Sequence, residues 1–424
     1  MVKKLLFSFS IYTLTSVLCA LLNVLILPIL TKYLSEKDYG TTALFSTYVM
    51  ILSPVIGLSS GGYFWLEYFK KKRTGSEQAT LFSTYFWLVL SCTIVIFLLC
   101  ALSFPLFSNF SFFSLFFVLL IPCTSLISVI GDETKNYFIN HKKPKAYLIY
   151  NVCITLVELL LSYYLVVHVY RSWEGRIFAW IISLLLQFII TTCLFSFKEK
   201  YILFTFSKAD LVKLAVFGFP LIFHQLGKFV INQSDRLFIA KMISIDEAGI
   251  YSIGYQVGSM MLLPITAFAN FYTPFIYERL VNLTQAKKLE IVKTSYIFFF
   301  VIIICFFGVI LLSPVFFSIF IDPKFNRGLD YVPWVALSYV FWGVYILLAA
   351  IVFYKGKTRF LGVLSIFNII LNCLFNFIFI KAFGPIGAAY ATALSFFIVF
   401  IIIAAYSSLL MPLPWAFFVK KNSD

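Results

Sequence analysis

Charge is what this sequence has least of. Only 12% of its 424 residues are Asp, Glu, Lys or Arg, and just 18 are acidic, against 62% hydrophobic residues and a mean hydropathy of +0.97. A water-soluble domain of this length needs far more polar surface, so most of the chain must lie in lipid. Paired catalytic carboxylates, a nucleophile elbow, a Walker lysine and a metal-ligand cluster are all missing from the pattern. That leaves no enzyme, cofactor or metal site to expect. Cysteine occurs eight times but without CxxC or Cys/His spacing, and always inside apolar stretches. There it reads as a small buried hydrophobe, not as a disulfide or a ligand. Alternating strand patterns are absent too, which excludes a membrane β-barrel.

What the chain has is long apolar runs. Lipid offers the backbone no hydrogen-bond partner, so each run of ~20 apolar residues predicts a membrane-spanning helix. Twelve are expected, near 5–30, 41–66, 80–104, 111–133, 147–169, 174–196, 212–240, 249–276, 294–320, 331–353, 360–381 and 385–410. The first run continues to about Leu30, beyond the ~7–15 residues of a cleavable signal core, so it is expected to be a retained helix. Alternating the loops between sides puts 23 Lys and Arg on one side and 8 on the other, with Lys228 and Arg236 inside the seventh segment. The positive-inside rule then places both termini in the cytoplasm. The net charge of +15 therefore faces anionic lipid and holds the topology, and nucleic-acid binding is not expected. Trp65, Trp173, Trp334 and Trp415 near helix ends read as interfacial anchors.

The chain also repeats itself. Thr31-Lys32-Tyr33-Leu34-Ser35-Glu36-Lys37-Asp38-Tyr39-Gly40 returns 209 residues later as Ala240-Lys241-Met242-Ile243-Ser244-Ile245-Asp246-Glu247-Ala248-Gly249. Gly175-Arg176-Ile177-Phe178-Ala179-Trp180-Ile181-Ile182-Ser183 returns 212 residues later as Gly387-Ala388-Ala389-Tyr390-Ala391-Thr392-Ala393-Leu394-Ser395. Two echoes at nearly one offset indicate a duplicated transporter. Six helices per half is an even number, so the two halves enter the membrane in the same direction. The expected organisation is an all-α polytopic membrane protein: a six-helix lobe over 1–197, a cytoplasmic linker at 198–211, a second six-helix lobe over 212–410 and a tail at 411–424.

Polar residues inside the spans mark candidate sites. In the seventh, His224, Asp235, Lys228 and Asn232 fall at about 0°, 20°, 40° and 80° around the helix, with Gln225 and Arg236 just beyond. Such a stripe either pairs internally, as Lys228–Asp235 or Asp235–Arg236, or lines a cavity for an anionic substrate. The matching first span is uncharged; its Asn23 aligns with Asn232. Glu158 stands alone in the fifth span, as a proton or sodium site or as a packing residue. Gly57-Leu58-Ser59-Ser60-Gly61 and Gly254-Tyr255-Gln256-Val257-Gly258 predict close helix packing, and Pro54, Pro264 and Pro274 predict bends in spans two and eight.

Several short runs resemble one known group. They are Leu34-Ser35-Glu36-Lys37-Asp38-Tyr39-Gly40, Gly57-Leu58-Ser59-Ser60, Phe217-Gly218-Phe219-Pro220-Leu221, Ser234-Asp235-Arg236-Leu237-Phe238-Ile239, Ala248-Gly249-Ile250-Tyr251-Ser252 and Gly384-Pro385-Ile386-Gly387-Ala388-Ala389. In this order they resemble polysaccharide-export flippases of the MOP superfamily, in particular the Wzx-type O-antigen flippases. The resemblance implies two lobes around a V-shaped central cavity, alternating access, and a location in the bacterial inner membrane. It implies as cargo an undecaprenyl-pyrophosphate-linked oligosaccharide, moved from the inner to the outer leaflet. Polysaccharide polymerase and chain-length machinery are implied partners beside membrane lipids. Lys228, with Arg236 above it, would meet the pyrophosphate, with His224, Asn232 and Asn23 as further cavity candidates. Asp235 and Glu158 are left for a structural ion pair or for coupling. The uncharged first span departs from the lipid II flippases, which place cations there. The main rival is a cation-coupled multidrug exporter of the same superfamily, but the first span offers it no inward carboxylate. A major-facilitator transporter lacks support because its loop signature is missing after span two, where Glu67-Tyr68-Phe69-Lys70-Lys71-Lys72-Arg73 stands. A non-transporting scaffold for glycan assembly is a third class.

Overall fold

A computed structural model of the chain describes residues 2–70, 74–108, 111–202, 204–281 and 283–415; side chains are described for these except at 2–10, 13, 107, 224, 227–232, 274 and 358. Among the described residues there is no strand. The helices are α1 (Val2–Leu25), α2 (Leu27–Tyr33), α3 (Glu36–Ile56), α4 (Gly61–Lys70), α5 (Gly75–Phe107), α6 (Leu115–Asn140), α7 (Pro144–Tyr164) and α8 (Trp173–Cys193). They continue as α9 (Lys208–Met242), α10 (Ile245–Gly258), α11 (Leu262–Leu280), α12 (Gln285–Phe320), α13 (Val332–Tyr354), α14 (Thr358–Phe383) and α15 (Ile386–Leu410). Among the described residues eleven helical spans are long and apolar enough to cross a membrane. At the place of the seventh expected span stands α9, whose 35 residues reach about 52 Å at 1.5 Å per residue.

Three expected spans come in two pieces, for local reasons. The first is interrupted at Ile26, because Pro28 at the start of α2 has no N–H to return to the carbonyl one turn earlier. Spans two and eight each break near a predicted proline, after 21 residues in α3 and after 14 in α10. Pro54 lies in the last turn of α3, and Gly57 to Ser60 then separate α3 from α4, with Leu58 and Ser59 at φ of 45° and 48°. In span eight a single 3-10 turn, Ser259–Met261, joins α10 to α11, and Pro264 follows it.

The chain forms two compact units, Met1–Gln233 and Ser234–Asp424. The division falls inside α9 and not at the expected linker 198–211. The reason is that the connecting segment and the first half of α9 pack on the first unit. Ser83 Oγ donates to the Tyr201 carbonyl at 2.6 Å, the Ser207 N–H donates to Thr84 Oγ1 at 3.1 Å, and the Phe217 ring lies 5.4 Å from that of Tyr63. The core of this unit gathers Phe64, Trp65, Phe82, Tyr85 and Tyr137 around Phe195, which stacks on Phe82 at 4.3 Å. In the second unit α13 is the most enclosed helix, and Leu348, Val352, Val399 and Ile403 pack between α13 and α15.

Both sequence echoes have a physical meaning inside their own units. Ser35 caps α3 by accepting from the Asp38 N–H, and Asp38 returns a bond to the Ser35 N–H. Ser244 caps α10 by accepting from the Glu247 N–H at 3.1 Å. A serine with an acid three residues later satisfies amide groups that a helix start leaves open. Gly175 and Gly387 lie in the first turns of α8 and α15, each against the end of the preceding segment. A side chain at either would collide with a backbone carbonyl, that of Tyr170 at 2.6 Å or that of Phe379.

Two readings of single residues need correction. None of the eight cysteines is buried; Cys153 and Cys193 are exposed and the rest intermediate. In a membrane protein the lipid-facing surface is as apolar as the core, so an apolar neighbourhood does not distinguish them. Trp65 is no interfacial anchor. It is only 6% exposed, and its ring nitrogen is committed to a carboxylate.

Candidate functional site

The C-terminal part of α9 carries Ser234-Asp235-Arg236, and all three side chains are buried within the second unit. A buried carboxylate in an apolar bundle demands hydrogen-bond donors. Asp235 obtains three, each from a different helix. Tyr251 of α10 donates its hydroxyl to Oδ2 at 2.6 Å, Thr392 of α15 donates to the same oxygen at 3.0 Å, and Asn376 of α14 donates to Oδ1 at 2.9 Å. A second layer ties these groups together. Asn372 Oδ1 accepts from Asn376 at 3.0 Å and from Ser234 at 3.3 Å, while its amide donates to Thr392 at 3.2 Å. One acceptor in this cluster, Asn376 Oδ1, is buried without a partner.

Arg236 points into the same unit. Its Nε donates to Ser252 Oγ at 3.1 Å and its guanidinium lies 4.6 Å from the centre of the Tyr255 ring. Tyr255 in turn shares a hydrogen bond with Tyr339 at 3.0 Å. This places Arg236 in the interior of the second unit, 7% exposed. The side chains of His224, Lys228 and Asn232 lie outside the described part of the structure. Asn23, on α1, is exposed.

Glu158 does not stand alone. Arg176 of α8 donates to it at 2.8 Å and to Ser162 at 2.7 Å, and both charged side chains are about one-fifth exposed (21% and 18%). The half-buried pair cross-links α7 to α8, which makes Glu158 a poor candidate for binding a transported ion.

Sequence reading passed over the groups that complete the Asp235 site. Asn368, Asn372 and Asn376 recur every fourth residue in an otherwise apolar span, so they form one polar line down α14. That spacing was the available signal. Thr392 and Ser395 were visible only as members of the second echo.

Known proteins can now be set beside this geometry. A family model described as polysaccharide biosynthesis protein matches residues 5–278. A protein of the Lsg locus of Haemophilus influenzae is 26% identical over 300 residues, 66% of this chain and 67% of that protein. An uncharacterised membrane protein from the same organism is 27% identical over 199 residues, 46% of this chain and 48% of its own length. A Haloferax volcanii protein named as a low-salt glycan biosynthesis flippase, Agl15, is 22% identical over 214 residues, 50% of this chain and 43% of that one. Two of these three relatives are thus matched over about half their length or less.

Solved structures resemble the whole fold. A multidrug resistance MATE family transporter of the MOP superfamily superposes with a TM-score of 0.72 at 13% identity, over 97% of this chain and 96% of that one. The lipid II flippase MurJ superposes with a TM-score of 0.70 at 15% identity, over 95% and 87%. The chain is a multi-pass membrane protein with the transporter fold of the MOP superfamily, and it belongs to the polysaccharide biosynthesis protein family.

Proposed function

We propose that this protein is a flippase that moves an undecaprenyl-pyrophosphate-linked oligosaccharide, an O-antigen or capsule repeat unit, from the inner to the outer leaflet of the bacterial cytoplasmic membrane by alternating access. The family match over residues 5–278 carries the proposal. The relative named as a glycan flippase and the likeness of fold to MurJ support it. A diphosphate needs a cation in a dry site. With Arg236 enclosed by Ser252 and Tyr255, that role falls to Lys228 on the His224–Asn232 stripe of α9. The termini face the cytoplasm in this scheme, and a polymerase on the outer side consumes the product.

Coupling is assigned to Asp235. Its surroundings supply one carboxylate, asparagine amide oxygens and a threonine hydroxyl, a set of hard oxygen donors suited to a proton or an alkali cation. The unpartnered Asn376 Oδ1 is a ready further ligand. The donor set therefore fits such an ion, and its binding energy would bias the second unit between conformations.

Purified protein in liposomes should flip a fluorescent undecaprenyl-pyrophosphate oligosaccharide. Lys228→Ala should reduce the rate at least about tenfold, the effect of losing one charge-assisted contact, while still inserting normally. Export of small cationic dyes with no movement of the lipid-linked sugar would support the multidrug reading instead. Full glycan flipping by Lys228→Ala would remove the cationic site.

A further inference from the structure

The first unit holds a buried carboxylate of its own, which the transport scheme above does not use. Glu133, on α6, is 3% exposed. Its Oε2 accepts from the Trp65 ring N–H at 2.7 Å and from the Asn136 amide at 3.3 Å, and its Oε1 accepts from the Tyr85 hydroxyl at 3.2 Å. Gly61, the first residue of α4, passes so close that a side chain there would stand 2.6 Å from Oε1.

The charged and titratable groups around it can be named element by element. From α4 it is faced by Trp65, from α5 by Tyr85, and from α6 by Asn136 and Asp132. Asp132 is exposed and paired with Lys135 at 2.7 Å. One turn further along α6, Tyr137 donates to Glu199 at 2.6 Å, and His141 beyond it stands 3.0 Å from the Tyr68 hydroxyl. Among the described residues every group that bonds Glu133 is therefore a neutral donor.

We propose that Glu133 is a proton-binding site, and that its proton decides whether α4 is latched to α6. The shorter of the two bonds to Oε2 comes from Trp65, whose N–H can only donate, so this ring suits a proton better than a metal ion. A proton fits without rearranging the helices. It adds to Oε1 from solvent, and Tyr85, whose hydroxyl accepts as well as donates, turns to receive it. The bond that Tyr85 donated to Oε1 is thereby replaced by one that it accepts, and no covalent bond other than the new O–H is made or broken. The Trp65 bond to Oε2 then changes from charge-assisted to neutral, and such bonds differ about twofold in strength.

The segment this bond holds is built to move. Only ten residues long, α4 is cut from α3 by Gly57 to Ser60, where Leu58 and Ser59 adopt the left-handed backbone region. Such conformations persist only where surrounding contacts enforce them. Weakening the Trp65 bond loosens the hold of α6 on α4 and lets α4 pivot at the break. The proposal does not depend on what cargo the protein carries.

Amide hydrogen exchange on the full-length protein in nanodiscs, corrected for intrinsic rates, tests it. Between roughly pH 8 and pH 5, amides of residues 61–70 should lose protection about tenfold in the wild type. Glu133→Gln should be unprotected at both pH values, and Trp65→Phe should show the same loss without a charge change. His141→Gln should keep the wild-type pH dependence, which separates Glu133 from the nearby imidazole. Unchanged protection of α10 and α13 in each variant checks that the fold is intact. Wild-type protection of 61–70 that is independent of pH, or a pH dependence surviving in Glu133→Gln, overturns the proposal. Should Glu133→Gln fail to fold, the wild-type titration and Trp65→Phe decide it.

Discussion

The two units carry the same helical plan but bury their acids in different places. At the 209-residue offset, Asp235 and Arg236 of the second unit correspond to Ile26 and Leu27 of the first. All four are buried, yet Asp235 and Arg236 sit in polar surroundings, whereas Ile26 sits in an aliphatic cluster with Leu30, Leu34 and Val166. The most deeply buried acid of the first unit among the described residues lies elsewhere, at Glu133. Hydroxyl and asparagine donors occur at both; Trp65, whose N–H can only donate, is peculiar to Glu133, and the buried, unpartnered Asn376 Oδ1 to the Asp235 cluster. Burial is nearly equal at the two acids, 3% and 0%. What differs is the chemistry of the ring around each, and the two proposals above follow that difference: a proton at Glu133, a proton or an alkali cation at Asp235. Duplication supplied the scaffold, and substitution at matching positions then made the halves unequal.

The comparison breaks most severely if Asp235 is removed. Asp235→Ala leaves Tyr251, Thr392 and Asn376 with unsatisfied donors in a dry interior and should cost about 3–5 kcal/mol. Thermal unfolding of the detergent-solubilised protein measures this, and Asp235→Asn should recover much of the stability without any ion dependence of transport. A stable, ion-dependent Asp235→Asn protein would show that the network is only structural. The reciprocal change, Ile26→Asp, places a carboxylate at the matching position where no donors wait. An insertion penalty of about 2.5–3.5 kcal/mol is expected, read as reduced accumulation in the membrane. Tolerance of this change would mean that the donor ring is not what permits the acid.

How far these sites could be read from sequence depends on how local their signals are. Spans and the repeat were legible because each rests on residues adjacent in the chain: an apolar run, a short run that returns at one offset, a pair of glycines four residues apart. The breaks in spans two and eight were foreshadowed by Pro54 and Pro264, while the one at Ile26 was not anticipated although Pro28 is its cause. Asp235 was visible as a charge in an apolar helix, but its partners come from 16, 141 and 157 residues away. Only the fold could choose them. Glu133 was hidden by a boundary: the fourth span was expected to end there, whereas α6 runs on to Asn140 and carries the residue inside. Glu158 misled in the opposite way, since Arg176 had been assigned to the loop side of its helix and not to a partner.

Smaller changes sharpen the same contrast. Glu158→Gln turns the Arg176 ion pair into a neutral-acceptor hydrogen bond at a site about one-fifth exposed, so a loss of about 1 kcal/mol is expected, with the pH profile of transport unchanged. An altered profile would return Glu158 to the coupling pathway and make the first unit the richer in ionisable sites.

The smallest effect tests whether the echoed caps are equivalent. Ser35 is part of a reciprocal pair in which Asp38 also bonds the Ser35 N–H and hydroxyl, at 3.1 Å and 2.6 Å. For Ser244 the described bond is the one from the Glu247 N–H, and Glu247 reaches instead to Arg327. Removing either hydroxyl should cost about 0.5–2 kcal/mol. Ser35→Ala belongs at the upper end because it also deprives the Asp38 carboxylate of a donor, and Ser244→Ala at the lower end. Amide exchange at the first turns of α3 and α10 would measure each locally. Equal losses would mean that the Asp38 carboxylate adds nothing to its cap. A larger loss at Ser244 would mean that the second unit leans harder on its start, because α10 is shorter and ends in the 3-10 turn at Ser259.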